Sequence, residues 1–180
     1  IANSGDILVA GARSTGITAT TNLGSVSVRS SGDIIARAAD SYAIFVVGVA
    51  EKSTSASPLS VAIEGGTVQG GSGGRELAFA DGDGDDDEAV LGSSGVMFVG
   101  GKDNKLLNKG TITALNGLAI SAVEGTLSKT ERWQDEKGKV HEETFSIAIP
   151  AAKLNITNAA RGKIVGDIET TSAGDTVKNS

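Results

Sequence analysis

The chain has 180 residues, a formal charge of −6, 25 glycines and only 3% aromatic residues. Cysteine is absent, which excludes disulfides, cysteine-ligated zinc and thiol catalysis. No cluster of Lys and Arg is visible along the sequence, so we expect no nucleic-acid partner. Small aliphatic residues must fill the interior, and the abundant Val, Ile and Thr favour strands over helices.

A triplet of Gly, any residue, and Ile or Val recurs along the chain and divides it into repeats. The triplets begin at Gly5, Gly32, Gly66, Gly110 and Gly162, at intervals of 27, 34, 44 and 52 residues. Asn3 and Asn108 stand two residues before a triplet. Because Asn and Gly both tolerate the left-handed conformations of a sharp bend, we expect a corner at these positions.

Two further apolar runs follow the triplet in each of the first four repeats. The second runs are 16–20, 43–47, 77–80 and 118–123. The third runs are 26–28, 59–63, 96–99, and 145–149 with 154–156 beside it. Alternation, as in Val26-Ser27-Val28, turns one face of such a strand inward and the other towards solvent.

The recurrence of three short strands in a fixed order predicts an all-β fold, namely a right-handed parallel β-helix. This is a solenoid in which coils stacked at about 4.8 Å pair each strand with those above and below it. A β-sandwich or barrel with generic turn glycines is the alternative, and the ordered recurrence favours the solenoid. We predict a single domain over 1–180, with loop insertions at the corners. The insertions are 52–57, 70–94, which is interrupted by a strand at 77–80, and 126–144.

Two motifs carry a family resemblance. Residues 108–114 read Asn-Lys-Gly-Thr-Ile-Thr-Ala, and residues 174–180 read Gly-Asp-Thr-Val-Lys-Asn-Ser. Both resemble phrases in the passenger regions of bacterial type V autotransporters, the pertactin-like β-helices, and the resemblance covers essentially the whole chain. It implies export to the cell surface, anchoring by an outer-membrane barrel outside these residues, and a role in adhesion, aggregation or biofilm formation.

An acidic segment at 81–88, Asp-Gly-Asp-Gly-Asp-Asp-Asp-Glu, is the most conspicuous polar feature. Alternating carboxylates could offer hard oxygen ligands to calcium, as in the opening of an EF-hand loop. They belong to Asp81, Asp83, Asp85 and Asp87. The segment departs from the EF-hand pattern at Asp86 and Gly92, where an EF-hand loop needs Gly and Glu. A solvated acidic loop is the favoured interpretation, and calcium is the one cofactor that the sequence leaves open.

A second projection, from Lys129 to Glu143, contains the only Trp and the only His of the chain. Its Glu-Lys-Gly-Lys centre suits the turn of an exposed β-hairpin. Trp133 and His141 are candidate binding residues, since an aromatic ring supplies a large contact area at low entropic cost. The alternative, which the packing habit of large aromatics favours, is that Trp133 folds down over the solenoid flank. We expect His141 to be a surface residue rather than a catalyst, because no nucleophile motif accompanies it.

An enzyme is the alternative class, since parallel β-helices also host enzymes that cleave polysaccharides with carboxylates on one sheet face. Asp6 and Asp33 occupy corresponding positions in neighbouring repeats and form a candidate pair. No Lys or Arg accompanies them at the corresponding positions of the next two repeats. We therefore expect no catalytic residues and do not predict an enzyme.

The sequence thus predicts an excerpt of a longer, surface-displayed protein that acts as an adhesin or as a structural scaffold. Loop insertions would contact a protein or glycan of a host cell, the matrix or a neighbouring cell, and self-association is left open. Contact with a membrane would run only through an anchor outside the segment. A carbohydrate-active β-helix and a passive stalk without a ligand are the alternatives.

Overall fold

The computed structural model describes residues 1–21, 24–48, 57–73 and 93–180, which form sixteen strands and no helix. The strands are β1 (Ala2–Asn3), β2 (Ile7–Val9), β3 (Thr15–Thr20), β4 (Val26–Ser30), β5 (Ile34–Ala36), β6 (Tyr42–Gly48), β7 (Leu59–Ile63), β8 (Thr67–Gly70), β9 (Val96–Gly100), β10 (Asn104–Asn108), β11 (Thr111–Val123), β12 (Gly125–Gln134), β13 (Val140–Ile149), β14 (Leu154–Asn158), β15 (Lys163–Glu169) and β16 (Thr176–Asn179). Except for the antiparallel pair β12 and β13, these strands pair in parallel. The expectation of an all-β fold with parallel strands is confirmed.

One parallel sheet has six strands in the order β1-β4-β7-β10-β14-β16. Strands β4, β7 and β10 alternate strictly, as in β4, where Val26 and Val28 are buried while Ser27 and Arg29 are exposed. One face of the sheet therefore covers the interior, and the other faces solvent.

The second parallel sheet doubles back on itself at the long strand β11. The start of β11 pairs with β8, and through β8 with β5 and β2. The end of β11 pairs with β9, and through β9 with β6 and β3, while β15 runs along the other side of β11. The sheet is consequently nearly closed and resembles a barrel.

The interior between the sheets is narrow and aliphatic. Val, Ile, Leu and Ala residues of all the parallel strands except β1, β2, β15 and β16 bury their side chains there, and Phe98 is the large aromatic residue among them. One row of this core comes from the five triplets. Its members pair side by side in the parallel register and are Ile7, Ile34, Val68, Ile112 and Ile164.

A second apolar cluster lies on the opposite face of β6, β9 and the end of β11. Met97 and Val99 alternate with Phe98 along β9, so they point away from the main core, yet both are buried. Tyr42 joins this cluster, and burial raises the pKa of its hydroxyl well above the usual range. Strand β9 is therefore covered on both faces.

Two interpretations of the third apolar runs are wrong. Val96 to Val99 belongs to β9, which pairs with β6 and β11 and so takes the second position of its repeat. The third position is taken by β10, which pairs with β7 and β14. Residues 145–149 belong to the antiparallel strand β13, and β14 alone holds the third position of the fourth repeat.

The predicted strand at 77–80 lies outside the described residues, as does most of the predicted insertions 52–57 and 70–94. The predicted insertion 126–144 lies within β12, β13 and the turn between them.

The triplet glycines lie directly above one another at a corner. A Cβ on Gly32 or Gly110 would overlap the carbonyl oxygen of the glycine in the preceding repeat, and one on Gly66 would lie 2.7 Å from the Gly32 oxygen. Of the five, only Gly66 has a positive φ, at 71°. Close approach of the backbone, rather than a left-handed bend, is therefore the reason for glycine at Gly32 and Gly110.

Candidate contact site at the hairpin end

Strands β12 and β13 form a hairpin that pairs from Gly125 and Ile149 at its base to Gln134 and Val140 at its end. Nine steps along such a strand span about 30 Å. The two strands form a sheet of their own, and the residues from Arg132 to Val140 are mostly exposed. The prediction of an exposed hairpin is confirmed.

Asp135 organises the turn of the hairpin. Its Oδ1 accepts hydrogen bonds from the backbone N–H groups of Lys137 and Lys139, both at 2.9 Å. The backbone N–H of Gly138 donates to the Asp135 carbonyl at 2.9 Å, and Gly138 has a φ of 80°. An Asp that binds the backbone beyond it, followed by a left-handed Gly, is a common way of fixing a tight turn.

Trp133 and His141 face each other across the two strands, directly behind this turn. Their rings are stacked, with centroids 5.5 Å apart and planes 14° from parallel. The second carboxylate oxygen of Asp135, Oδ2, lies 3.0 Å from Nε2 of His141. The hydrogen bond to His141, followed by those from the backbone of Lys139 and Lys137, lowers the pKa of Asp135 below its ordinary value.

The structure therefore brings the two predicted binding residues together and adds a third, Asp135, that sequence reasoning missed. The available signal was its position as the first residue of the turn sequence Asp-Glu-Lys-Gly-Lys. Trp133 does not fold down as the favoured alternative predicted, because one face of its ring stacks on His141 and 47% of the residue remains exposed.

An ion pair occupies the opposite face of the hairpin. Nε of Arg132 donates to Oε2 of Glu142 at 2.7 Å, and these two residues are also a directly opposed pair. Neighbouring residues of a strand point to opposite faces, so the ion pair and the ring pair lie back to back. The end of the hairpin thus has one aromatic and one charged face.

The carboxylates of the candidate catalytic pair Asp6 and Asp33 bind backbone N–H groups rather than forming a catalytic pair. Oδ1 of Asp6 accepts the backbone N–H of Asp33 at 2.9 Å, and Oδ1 of Asp33 accepts that of Thr67 at 2.7 Å. Each carboxylate therefore ties one strand to the next instead of facing a cleft, and this arrangement gives no support to the carbohydrate-active alternative.

The candidate calcium ligands Asp81, Asp83, Asp85 and Asp87 lie outside the described residues. Within the described ranges, no group of three or more His, Asp or Glu residues could hold a metal ion. Nor does the described part contain a helix that is long and apolar enough to cross a membrane.

No known protein family, curated protein or solved structure matches the chain.

Proposed function

We propose that the chain is a surface-displayed segment of a right-handed parallel β-helix, in which the parallel strands are a scaffold and the hairpin end contacts a partner. The observation that carries this proposal is the stacked pair of the exposed Trp133 and the half-buried His141, with His141 bonded to Asp135, at the end of a hairpin about 30 Å long. The partner is a protein or glycan of another cell or of the matrix.

The pairing of equivalent strands supports the helical winding. In the first two repeats the chain passes through β2, β3 and β4 and then through β5, β6 and β7, each strand lying parallel to its equivalent. Crossover connections between parallel strands are overwhelmingly right-handed, which supports a right-handed coil. A chain of this kind can fold by adding one coil to the next, which suits export in an unfolded form.

Display at a cell surface rests on the resemblance of residues 108–114 and 174–180 to autotransporter passengers. The absence of cysteine agrees with this, since a disulfide formed during export could hinder passage across an outer membrane. The anchor would lie outside the 180 residues.

The hairpin end is suited to contact because hydrogen bonds and a ring stack organise it before binding. Asp135 accepts three hydrogen bonds when His141 donates the third, and the ring stack fixes Trp133 in one orientation. A preorganised aromatic surface loses little conformational entropy on binding, so a larger share of the contact energy appears as affinity.

Attachment of beads coated with the chain to cultured cells and to matrix-coated surfaces tests this proposal. We expect W133A/H141A to reduce attachment about tenfold or more, as loss of an aromatic anchor does at other interfaces. The matched control, R132Q/E142Q on the opposite face, should attach like the parent. Circular dichroism and the melting temperature check that both variants fold.

A second variant joins Gly125 to Ile149 through a short Gly-Ser link and removes the hairpin between them. If attachment survives both this variant and W133A/H141A while the fold is intact, the contact proposal is wrong. If the parent chain itself does not attach to any surface, the passive-stalk alternative replaces it.

A further inference from the structure

The outer face, by which we mean the solvent side of the six-stranded sheet, is basic. The six strands β1, β4, β7, β10, β14 and β16 contain no Asp or Glu. They contribute three cations, Arg29, Lys105 and Lys178, all of them exposed. Lys109 adds a fourth directly after β10.

The register of the sheet places two of these cations, Arg29 and Lys178, in one row across the strands. Arg29, Ala62, Leu107, Thr157 and Lys178 form one continuous row of paired positions. Four strand spacings separate the two ends of the row, a distance of about 19 Å. Lys105 lies in the adjacent row on β10, midway between Arg29 and Lys178.

Three carboxylates flank these strands directly, since Glu64 follows β7 while Asp103 and Asp175 precede β10 and β16. Glu64 forms an ion pair with Arg29. The hydrogen bond and charge of Arg29 lower the pKa of Glu64, and Lys109 contributes further. Lys153, directly before β14, is a fifth cation. With five cations and three anions, these strands and their immediate flanking residues carry a side-chain charge of +2 on a chain whose net charge is −6.

An open groove of about 530 Å³ runs over the same face. Ser27, Ser60, Lys105, Asn155 and Thr157 are among the residues that line it. Within the described residues, the hydroxyls of Ser27 and Ser60 and the ammonium of Lys105 make no hydrogen bond. The groove therefore offers free donors and acceptors beside the cations.

We propose that the outer face binds a linear anionic polysaccharide, whose carboxylate or sulfate groups contact Arg29, Lys105 and Lys178 while its hydroxyl groups bond to the groove. Charge-assisted hydrogen bonds supply the affinity, and Arg29 keeps donors free beyond the one that Glu64 uses. Single-stranded nucleic acid fits less well, because none of the six strands carries an aromatic ring on which bases could stack.

Titration of the full 180-residue chain with dextran sulfate, polygalacturonate and neutral dextran tests the proposal. We expect binding of both anionic polymers, no binding of neutral dextran, and an affinity that falls steeply as salt is raised. K105Q/K178Q should weaken binding about tenfold or more, whereas E64Q, which removes the carboxylate paired with Arg29, should strengthen it. The matched control R37Q/K163Q removes two exposed charges elsewhere and should leave the affinity unchanged.

Equal affinities of the parent and K105Q/K178Q, or no binding of either anionic polymer, would overturn the proposal. Tighter binding to vesicles of phosphatidylserine and phosphatidylcholine, or to single-stranded DNA, than to both polymers would also overturn it. The outer face does not depend on the hairpin, so W133A/H141A should bind the polymers like the parent chain.

Discussion

Asn108 shows how single polar side chains complete the backbone bonding at the corners. It is fully buried, and its Nδ2 donates to Oδ1 of Asn158 at 2.8 Å and to the carbonyl of Lys163 at 3.2 Å. Its Oδ1 accepts the backbone N–H of Gly110 at 3.1 Å, and Asn158 repeats the pattern by donating to Asn179. Backbone groups at the ends of strands are satisfied in this way where no ladder partner is available.

Gly32→Ala is expected to destabilise the chain by about 1–3 kcal/mol, because its Cβ would overlap a backbone carbonyl oxygen that cannot rotate away. Urea denaturation followed by circular dichroism measures the change. Gly5→Ala is the matched control, since a Cβ on Gly5 meets nothing within 4 Å. Equal stability of the two variants would mean that successive repeats do not approach one another as closely as described.

The corner residues could be predicted from the sequence, but only in part for the right reason. Asn3 and Asn108 were expected to adopt left-handed conformations, yet neither has a positive φ. They act instead through their side chains, which bond to Gly5 and Gly110 two residues later. The spacing from the triplet glycine locates such an Asn in the sequence. Which backbone group its side chain binds depends on how the corner is packed.

Strands β9 and β10 show that the apolar pattern of a single strand does not settle which position of a repeat the strand occupies. Residues 96–99 are apolar throughout and buried on both faces, so their pattern fits the second position of a repeat as well as the third. In β10, the buried amides of Asn104 and Asn108 give a strand the appearance of a loop. Pairing with neighbouring strands decides between these assignments, and a lone repeat does not contain that information.

The basic outer face could not be seen along the chain either. Arg29, Lys105 and Lys178 are more than 70 residues apart in succession, and the sequence therefore shows no cluster of Lys and Arg. They meet only because parallel register brings equivalent positions of different repeats together.

The end of the hairpin should be sensitive to acid through Asp135. Its pKa in the folded chain is lowered, so its stabilising contribution is present above the ordinary pKa of Asp and is lost as pH falls through the lower, folded value. Fluorescence of Trp133, the only Trp, should therefore report a loosening of the turn in that acid range.

D135N should abolish this fluorescence transition, whereas E136Q, one residue further along the turn, should retain it. Circular dichroism recorded in parallel separates a local change from unfolding of the sheets. A transition that persists unchanged in D135N would show that another group causes it.

For the whole molecule, we expect hydrogen exchange to be graded across the six-stranded sheet. Strands β7 and β10 are paired on both sides and contribute fully buried residues such as Leu59 and Leu106, so their amides should exchange slowest. Strands β1 and β16, at the edges, should exchange fastest in the 180-residue chain. Mass spectrometry of peptic fragments measures this gradient, and uniform protection of all six strands would contradict it.

The all-β arrangement of parallel strands followed from the sequence because the sequence repeats one physical requirement. Each triplet places an aliphatic side chain inward, and the side chains of Ile7, Ile34 and Val68 meet in one row although the repeats differ in length. The all-β character and the parallel strands could therefore be predicted. The doubling back of the sheet at β11 could not, because it depends on a 13-residue strand that serves two neighbours in turn.

The base of the hairpin has a consequence for how such a chain can diversify. Gly125 and Ile149 are directly opposed, so the chain leaves the scaffold and returns to it at almost the same point. A segment of any length between these two residues therefore leaves the positions of the following strands unchanged. This corner therefore behaves as a cassette position, where one peptide or small domain with adjacent termini could be exchanged for another, and recognition could change without redesign of the core.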